Sequence, residues 1–442
     1  MKRWGARLFA GGLLVAVLGL GLLTATPRSV VDWRRLRVVA LESDDWGLAG
    51  FIPAAGAWDG LDRQALMPGR FPAVYWESTL EDAATVDRLA GVLAAHRGRD
   101  GLPAVLQPNY VMASLAWDET AAAWRTTTLP DWPPAYARPG LWRAVTEARR
   151  AGVWHPELHA HLHYDPERRR EAAFSTPLAA EATRRGIMLF PASEKARELA
   201  PWRPAAVMAA ELDSSLAIFG RAFGRRPGSV IAPDYHWHDA VEDLWQSRGL
   251  RTIQAKREQR VPGMGAGRAG RVRKYVSRQW ARIARPGRTY LERNCRLEPV
   301  QSDDVAAVVA ACVADTRRAW ARGEPAIVET HRVNYAHTDP AVVATGAAAL
   351  AEYLDAISAA DPGPWFLCDD EIAQLSRRGT SWRRFSDRLV LRNGSRSVRV
   401  VAVPVDVPDG SGDGSGTGSV RFYRVGPGET RVVAWPGTDT RR

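Results

Sequence analysis

The stretch Trp154-His155-Pro156-Glu157-Leu158-His159-Ala160-His161-Leu162-His163 carries four of the chain's nine histidines. His159 and His163 lie four residues apart, and His155 and His159 repeat that spacing. Imidazoles so spaced share one face of a helical turn, or of a tight loop leaving a strand. Either arrangement presents two nitrogens to one metal ion. Two adjacent carboxylates, Asp44 and Asp45, follow the apolar run Leu36-Arg37-Val38-Val39-Ala40-Leu41. Like charges this close raise each other's pKa unless something compensates them. If one carboxylate binds a metal, its neighbour can serve as general base on activated water. His331 closes a third apolar run, Ala326-Ile327-Val328-Glu329-Thr330. Taken singly, each cluster also reads as a surface histidine run, a turn pair or a packed histidine. Their common position at strand ends is what joins them.

The elements that must hold these groups follow from periodicity. Buried or half-buried strands are predicted at 36–42, 73–76, 103–107, 155–161, 187–190, 229–232, 252–255, 326–330 and 365–368. Helices are predicted at 141–151, 177–185, 211–223, 240–248, 303–322, 341–359 and 370–377. Another should open at a capping box, Ser78-Thr79-Leu80-Glu81, and run to about His96. Strands alternating with helices argue for an α/β architecture with a parallel sheet, and the number of units favours a barrel. In such barrels functional groups gather at the C-terminal ends of strands. Residues 256–293 interrupt the pattern with a Gly- and Arg-rich stretch, expected to be a long basic loop that meets an anionic polymer. From about residue 381 short β-runs surround a Gly/Ser-rich segment at 408–418, which reads as a small all-β, sandwich-like appendage.

The chain has 442 residues, 46% of them hydrophobic and 25% charged, with a formal net charge of +11. That is ample for one large domain and a smaller one. The positive balance fits a polyanionic partner, but no RNP sequence or Cys/His zinc module is present, so nucleic acid is not indicated. Cys295, Cys312 and Cys368 are widely separated, which excludes a disulfide framework and leaves room for one bridge. Lys2, Arg3 and Arg7 precede an uncharged apolar run from Leu8 to Ala25. Residues 1–30 are therefore expected to be a membrane anchor, or a cleaved leader, with the rest of the chain in the cell envelope or secreted.

At this point the chain resembles the polysaccharide deacetylase family, the NodB-like carbohydrate esterases of the family 4 type, as a divergent member. The resemblance rests on Val39-Ala-Leu-Glu-Ser-Asp44-Asp45-Trp46-Gly47, on Glu157-Leu-His159-Ala-His-Leu-His163 and on Val328-Glu-Thr-His331, and covers roughly residues 35 to 378. It implies a distorted (β/α) barrel over residues 31–380, with the small β domain at 381–442. It implies a divalent metal, zinc in this family, on Asp45, His159 and His163. Asp44 would be the catalytic base and His331 the general acid. A backbone N–H near Tyr235 would help to stabilise the oxyanion. The implied partner is a polysaccharide, anionic if the basic stretch contacts it.

The chain departs from the family at its third motif, where Ile231-Ala232-Pro233-Asp234-Tyr235 lacks the arginine that orients the base. Trp46 also intrudes between Asp45 and Gly47, and the fourth motif has no counterpart. Tyr235, Trp237, Arg293, Asn294 and Asn334 are candidates to line the substrate site, and Trp237 and Tyr335 could stack on sugar rings. His155 with His159 is the rival metal pair, and His161 should point to the opposite side. Two other functions use the same scaffold. One is glycoside hydrolysis, with Asp44 and Asp234 as the carboxylate pair. The other is a non-catalytic polysaccharide-binding scaffold.

Overall fold

The computed structural model describes residues 30–66, 72–189, 196–256, 287–405 and 419–435. The apolar N-terminal run and most of the basic stretch lie outside the described residues.

The chain builds one curled sheet with helices around it. Its first strand, β1 (Val38–Trp46), is buried along almost its whole length. Continuous burial is expected of a parallel strand covered on both faces. β2 (Leu106–Val111) pairs with β1, and an antiparallel hairpin of β3 (Ala113–Asp118) and β4 (Ala123–Thr128) projects beyond it. β5 (Glu157–Ala160), β6 (Ser229–Val230), β7 (Thr252–Ala255) and β8 (Thr289–Glu292) extend the sheet on one side. On the other side lie β10 (Ala326–His331) and then β9 (Cys295–Arg296). A short β11 (Trp365–Phe366) joins the start of β1. The order is β8-β7-β6-β5-β2-β1-β10-β9, and every pairing is parallel.

β8 and β9 occupy opposite edges of that order, yet only Arg293 and Asn294 separate them in the chain. A step of three residues spans at most about 10 Å, so the two edges approach each other and the sheet curls into a barrel. Arg293 N–H bonds Ala255 at one edge, and Asn294 N–H bonds Ile327 at the other. The fold is therefore mixed α/β with a curled parallel sheet, as the alternating pattern predicts.

Several local expectations are corrected. Residues 289–292, assigned above to the basic loop, form the edge strand β8. Residues 73–77 form a 3₁₀ turn rather than a strand. The helix expected from a Ser78 capping box starts one turn later, at Ala83, with Asp82 capping the N–H of Thr85. Glu81 is thereby freed for another task, described below. Residues 187–189 form no strand. The three cysteines are buried and free.

Beyond the last barrel helix, Asp369–Arg378, the tail forms two antiparallel sheets: β12 (Thr380–Arg384), β13 (Arg388–Asn393) and β16 (Thr430–Ala434) in one, β14 (Arg399–Pro404) and β15 (Val420–Val425) in the other. Trp382, Leu389, Leu391, Val401, Val403 and Val425 pack between them. Among the described residues, helix Pro340–Ser358 is long and apolar enough to cross a membrane, and it packs against helices 83–95 and 305–322.

Candidate active site

All three sequence clusters reach the C-terminal end of the sheet. Asp44 lies in register with His331 on neighbouring strands β1 and β10. His159 sits in β5, and His163 follows in the next turn. The backbone there is unusual. Asp45 has φ +72°, His163 +75° and Tyr235 +57°, in the left-handed region that non-glycine residues avoid. Such strain persists where the surroundings over-determine it, and it clusters at functional sites.

Two carboxylates hold these turns. Glu81 accepts the Gly47 N–H at 3.0 Å and pairs with Arg332 at 3.2 Å, tying the turn after Asp45 to the turn after His331. Gly47 itself has φ +74°, and a Cβ there would meet Tyr110 Cδ1 at 2.9 Å. Glu198 accepts the backbone N–H groups of His161 and Leu162, at 2.8 and 3.0 Å, and that of His163. In the sequence Glu81 reads as part of a capping box rather than as a support for these turns, and no motif marks Glu198.

Asp45, His159 and His163 converge. Asp45 Oδ1 lies 3.3 Å from His159 Nε2 and 3.1 Å from His163 Nε2. The His159 Nδ1–H donates to the Ile231 carbonyl at 3.3 Å. A carbonyl can only accept, so Nδ1 carries a proton and Nε2 is the nitrogen turned to Asp45. Donors bound to one tetrahedral zinc at its usual bond lengths stand about 3.4 Å apart. The donor set and its spacing therefore fit a divalent cation. Burial pushes the Asp45 carboxyl up, but the bonds from His159 and His163 hold it well below the usual carboxylate range.

Asp44 sits beside this triad and is gripped by Arg293. The guanidinium makes two 2.7 Å bonds, Nη1 to Oδ2 and Nη2 to Oδ1, and Asn109 adds a third at 2.7 Å. Burial raises the Asp44 carboxyl, yet the Arg293 charge and bonds win and hold it far below its ordinary value. Arg293 also bonds Glu42 at 2.5 Å, the Tyr235 hydroxyl at 2.7 Å and Gln254 at 2.8 Å. Burial and the nearby Asp369 push the Glu42 carboxyl well up, against the pull of the Arg293 charge.

His331 donates from Nδ1 to Glu298 at 2.5 Å, and its Nε2 lies 3.8 Å from Asp44 Oδ2. Asn334 braces Glu298 at 2.7 Å. Burial lowers the His331 pKa, but Glu298 and then Asp44 and Asp45 overcome it, to about 10. The imidazole is thus protonated at neutral pH. Glu298 sits two residues beyond the two-residue strand β9, too short to carry a periodic signal.

The residues expected to bind substrate are placed otherwise. Arg293 is fully buried and orients Asp44, so it supplies from the end of β8 what the third motif lacks. Trp237 is fully buried with its indole N–H on Glu242, and Tyr335 is buried with its hydroxyl on Thr330. Asn334 is buried beneath Glu298, and Asn294 bridges Pro325 and Ile327 in the barrel wall. The Tyr235 N–H is spent on the Ala232 carbonyl, which removes it as an oxyanion donor, while its hydroxyl bonds Glu329 at 2.8 Å. His155 belongs to the opposite end of the strand, 3.0 Å from Glu157 and 3.4 Å from Asp370. His161 bonds Ser215 at 3.0 Å. Asp234 pairs with Arg197, and Asp44 is saturated by Arg293, so neither is poised as half of a glycosidase pair.

No family model and no curated protein matches the chain. Among solved structures, it is similar to one from Mycobacterium smegmatis assigned as a polysaccharide deacetylase, at 13% identity and TM-score 0.37, over 77% of this chain and 90% of that one. A second, from Pseudomonas aeruginosa and likewise assigned, matches at 12% identity and TM-score 0.34, over 80% and 96%. An assigned α-galactosidase from Bacteroides fragilis matches at 10% and 0.27, over 81% and 76%. Overlaps this loose carry no argument. The chemistry below rests on the residues themselves.

Proposed function

We propose that the chain is a metal-dependent hydrolase that removes acetyl groups from a polysaccharide. One observation carries the reading: two histidine nitrogens and one carboxylate converge beside a second carboxylate and a protonated histidine, all at one end of a parallel sheet. Asp45, His159 and His163 would hold a divalent cation, zinc by ligand type. Bound there, it would polarise the acetyl carbonyl and acidify a water. Asp44 accepts the proton that water gives up. Arg293 keeps Asp44 ionised and aimed, at the expense of basicity, so it suits only a strongly acidified donor. His331, held protonated by Glu298, delivers a proton to the departing nitrogen or oxygen of the sugar. The substrate is an exported or cell-surface glycan, anionic if residues 257–286 contact it. Residues 1–30 anchor the chain in the membrane, or are cleaved to release it, with the barrel outside the cytoplasm in either case.

The test uses the chain from Pro27 onward. Bound metal is measured in the wild type and in His159→Ala, and acetate release from acetylated glycans is followed in the wild type and in Asp44→Asn. Stoichiometric metal lost in His159→Ala, with acetate release lowered about 100- to 10,000-fold in Asp44→Asn, is the expected result. No metal in either protein after adding zinc, cobalt or nickel would sink the mechanism. New reducing ends without acetate would favour a glycosidase.

A further inference from the structure

The tail carries an apolar face that nothing among the described residues covers. Val401, Val403 and Val425 fill the core between the two tail sheets. Strand alternation turns the residues between them outward. On that outer face Ala402 lies opposite Phe422, Pro404 opposite Val420, and Val400 opposite Arg424. Phe422 is 70% exposed and Val400 64%, and Val398 and Val420 are exposed at the two ends of the strip. Apolar side chains scattered singly on a surface need no explanation, but a contiguous strip marks a docking surface. Residues 406–418, between the two strands, offer only Val407 and Pro408 as apolar side chains, too few to cover it.

Two observations say what docks there. The first is charge. Arg396, Arg399, Arg421 and Arg424 are exposed on the strands and turn that carry the strip. Among the described residues, only Arg396 of the four meets an acid, Asp32 at 2.7 Å. The two acids of the described tail are engaged elsewhere, Asp387 with Arg388 at 3.2 Å and Glu429 with the Gly426 N–H. The second observation is place. Asp32, which holds Arg396, lies where the N-terminal segment meets the tail, its own N–H bonding the Gly394 carbonyl at 3.3 Å. Five residue steps separate Ala25, the end of the apolar run, from Val30. They span at most about 17 Å. An apolar run lodged in a membrane would therefore hold this corner of the tail close to the lipid surface.

We propose that the outer face of the β14–β15 ribbon docks on an anionic membrane. Phe422, Val398, Val400 and Val420 enter the boundary between headgroups and acyl chains, and the four arginines meet lipid phosphates. Valine side chains offer no flat ring for a sugar to stack on, and they suit hydrocarbon. Apolar insertion and attraction to anionic lipid add in such interfacial binding. The inference rests on the anchor proposed above for where the membrane lies, and on the described residues alone for the affinity of the face. A second point of attachment would fix the attitude of the barrel, which a single tether leaves free to turn.

The test is vesicle co-sedimentation of the chain from Pro27 onward, whose barrel and tail are built from residues 30 onward. Vesicles of phosphatidylcholine with about one third phosphatidylglycerol are compared with phosphatidylcholine alone. The mixed vesicles should bind the chain and the neutral ones far less well. Phe422→Ala and Arg424→Glu, both at exposed positions, should each weaken binding about five- to tenfold. The proposal is overturned by no binding, by equal binding to both vesicles, or by both variants binding at wild-type strength. It is also overturned by a lipid-free dimer of the wild type that Phe422→Ala dissociates, which would give the face to a second copy of the chain. The full chain, washed on membranes with alkaline carbonate, tests the anchor separately. Release of the full chain with vesicle binding of the shorter one would remove the anchor and support the docking face. Retention of the full chain without vesicle binding of the shorter one would keep the anchor and overturn the face.

Discussion

The two ends of strand β5 carry nearly the same side chains and do different things. At the lower end His155, Glu157 and Asp370 bring their ligand atoms within 4.8 Å of one another; at the upper end Asp45, His159 and His163 do the same. The difference is the counter-charge. Arg225 lies 3.0 Å from Glu157 and 4.0 Å from Asp370, and Glu157 also accepts the N–H groups of Gly228 and Ser229 at 2.8 Å each. That carboxylate is saturated and locks the barrel floor. Asp45, among the described residues, is paired only with the two imidazoles. Its arginine-bearing neighbour is Asp44 instead. Adjacent carboxylates are thus split into one compensated by a guanidinium and one left for a cation.

This contrast can be broken in four ways. His159→Ala should strip bound metal altogether, whereas His155→Ala should leave it untouched; metal analysis of both proteins decides, and loss in His155→Ala would end the distinction. Arg225→Met leaves two buried acids facing one histidine. It should lower stability by about 3–5 kcal/mol in denaturant unfolding. It should also let added zinc restore part of the loss, which it does not do in the wild type. Glu198→Gln keeps the size of the group but weakens its hold on the His161–His163 turn. Metal affinity should fall about 10- to 100-fold by competition with a chelator, while the far-UV spectrum stays unchanged. The smallest effect concerns pH. The His331 pKa is raised in the folded state to about 10. Its pairing with Glu298 therefore stabilises fully below the unfolded value near 6.5 and is lost as pH rises through about 10. Glu298→Gln should move the alkaline limb of both stability and acetate release toward neutral pH. An unmoved limb would assign it to another group.

Much of the site was legible because metal-type chemistry uses conspicuous residues at fixed offsets. Asp44-Asp45, His159, His163 and His331 announce themselves by type and by the apolar runs before them. The supporting groups do not. Arg293 is one arginine at the end of a basic stretch, and nothing local separates it from its neighbours; its meaning comes from sheet order, which puts β9, and with it the end of β8, one strand (β10) away from β1. Glu298 and Glu198 act from irregular segments. Ser78-Thr-Leu-Glu81 shows the converse: a local signal with a sound mechanism was overridden because a carboxylate was needed against Gly47 and Arg332. Aromatic residues near a motif also mislead, since Trp237 and Tyr335 serve the core.

The short passage through Arg293 and Asn294 has a consequence for when the protein can work. Arg293, which grips Asp44, is also the latch between the first and last edges of the sheet, and the edge it joins on one side is only two residues long. Short edge strands are where local opening is cheapest. A molecule whose latch has sprung keeps most of its core, while Asp44 loses its guanidinium partner and keeps only Asn109. Under the function proposed above, amide exchange at Arg293 and Asn294 would then report the fraction of chains whose Asp44 is out of its working position at any moment.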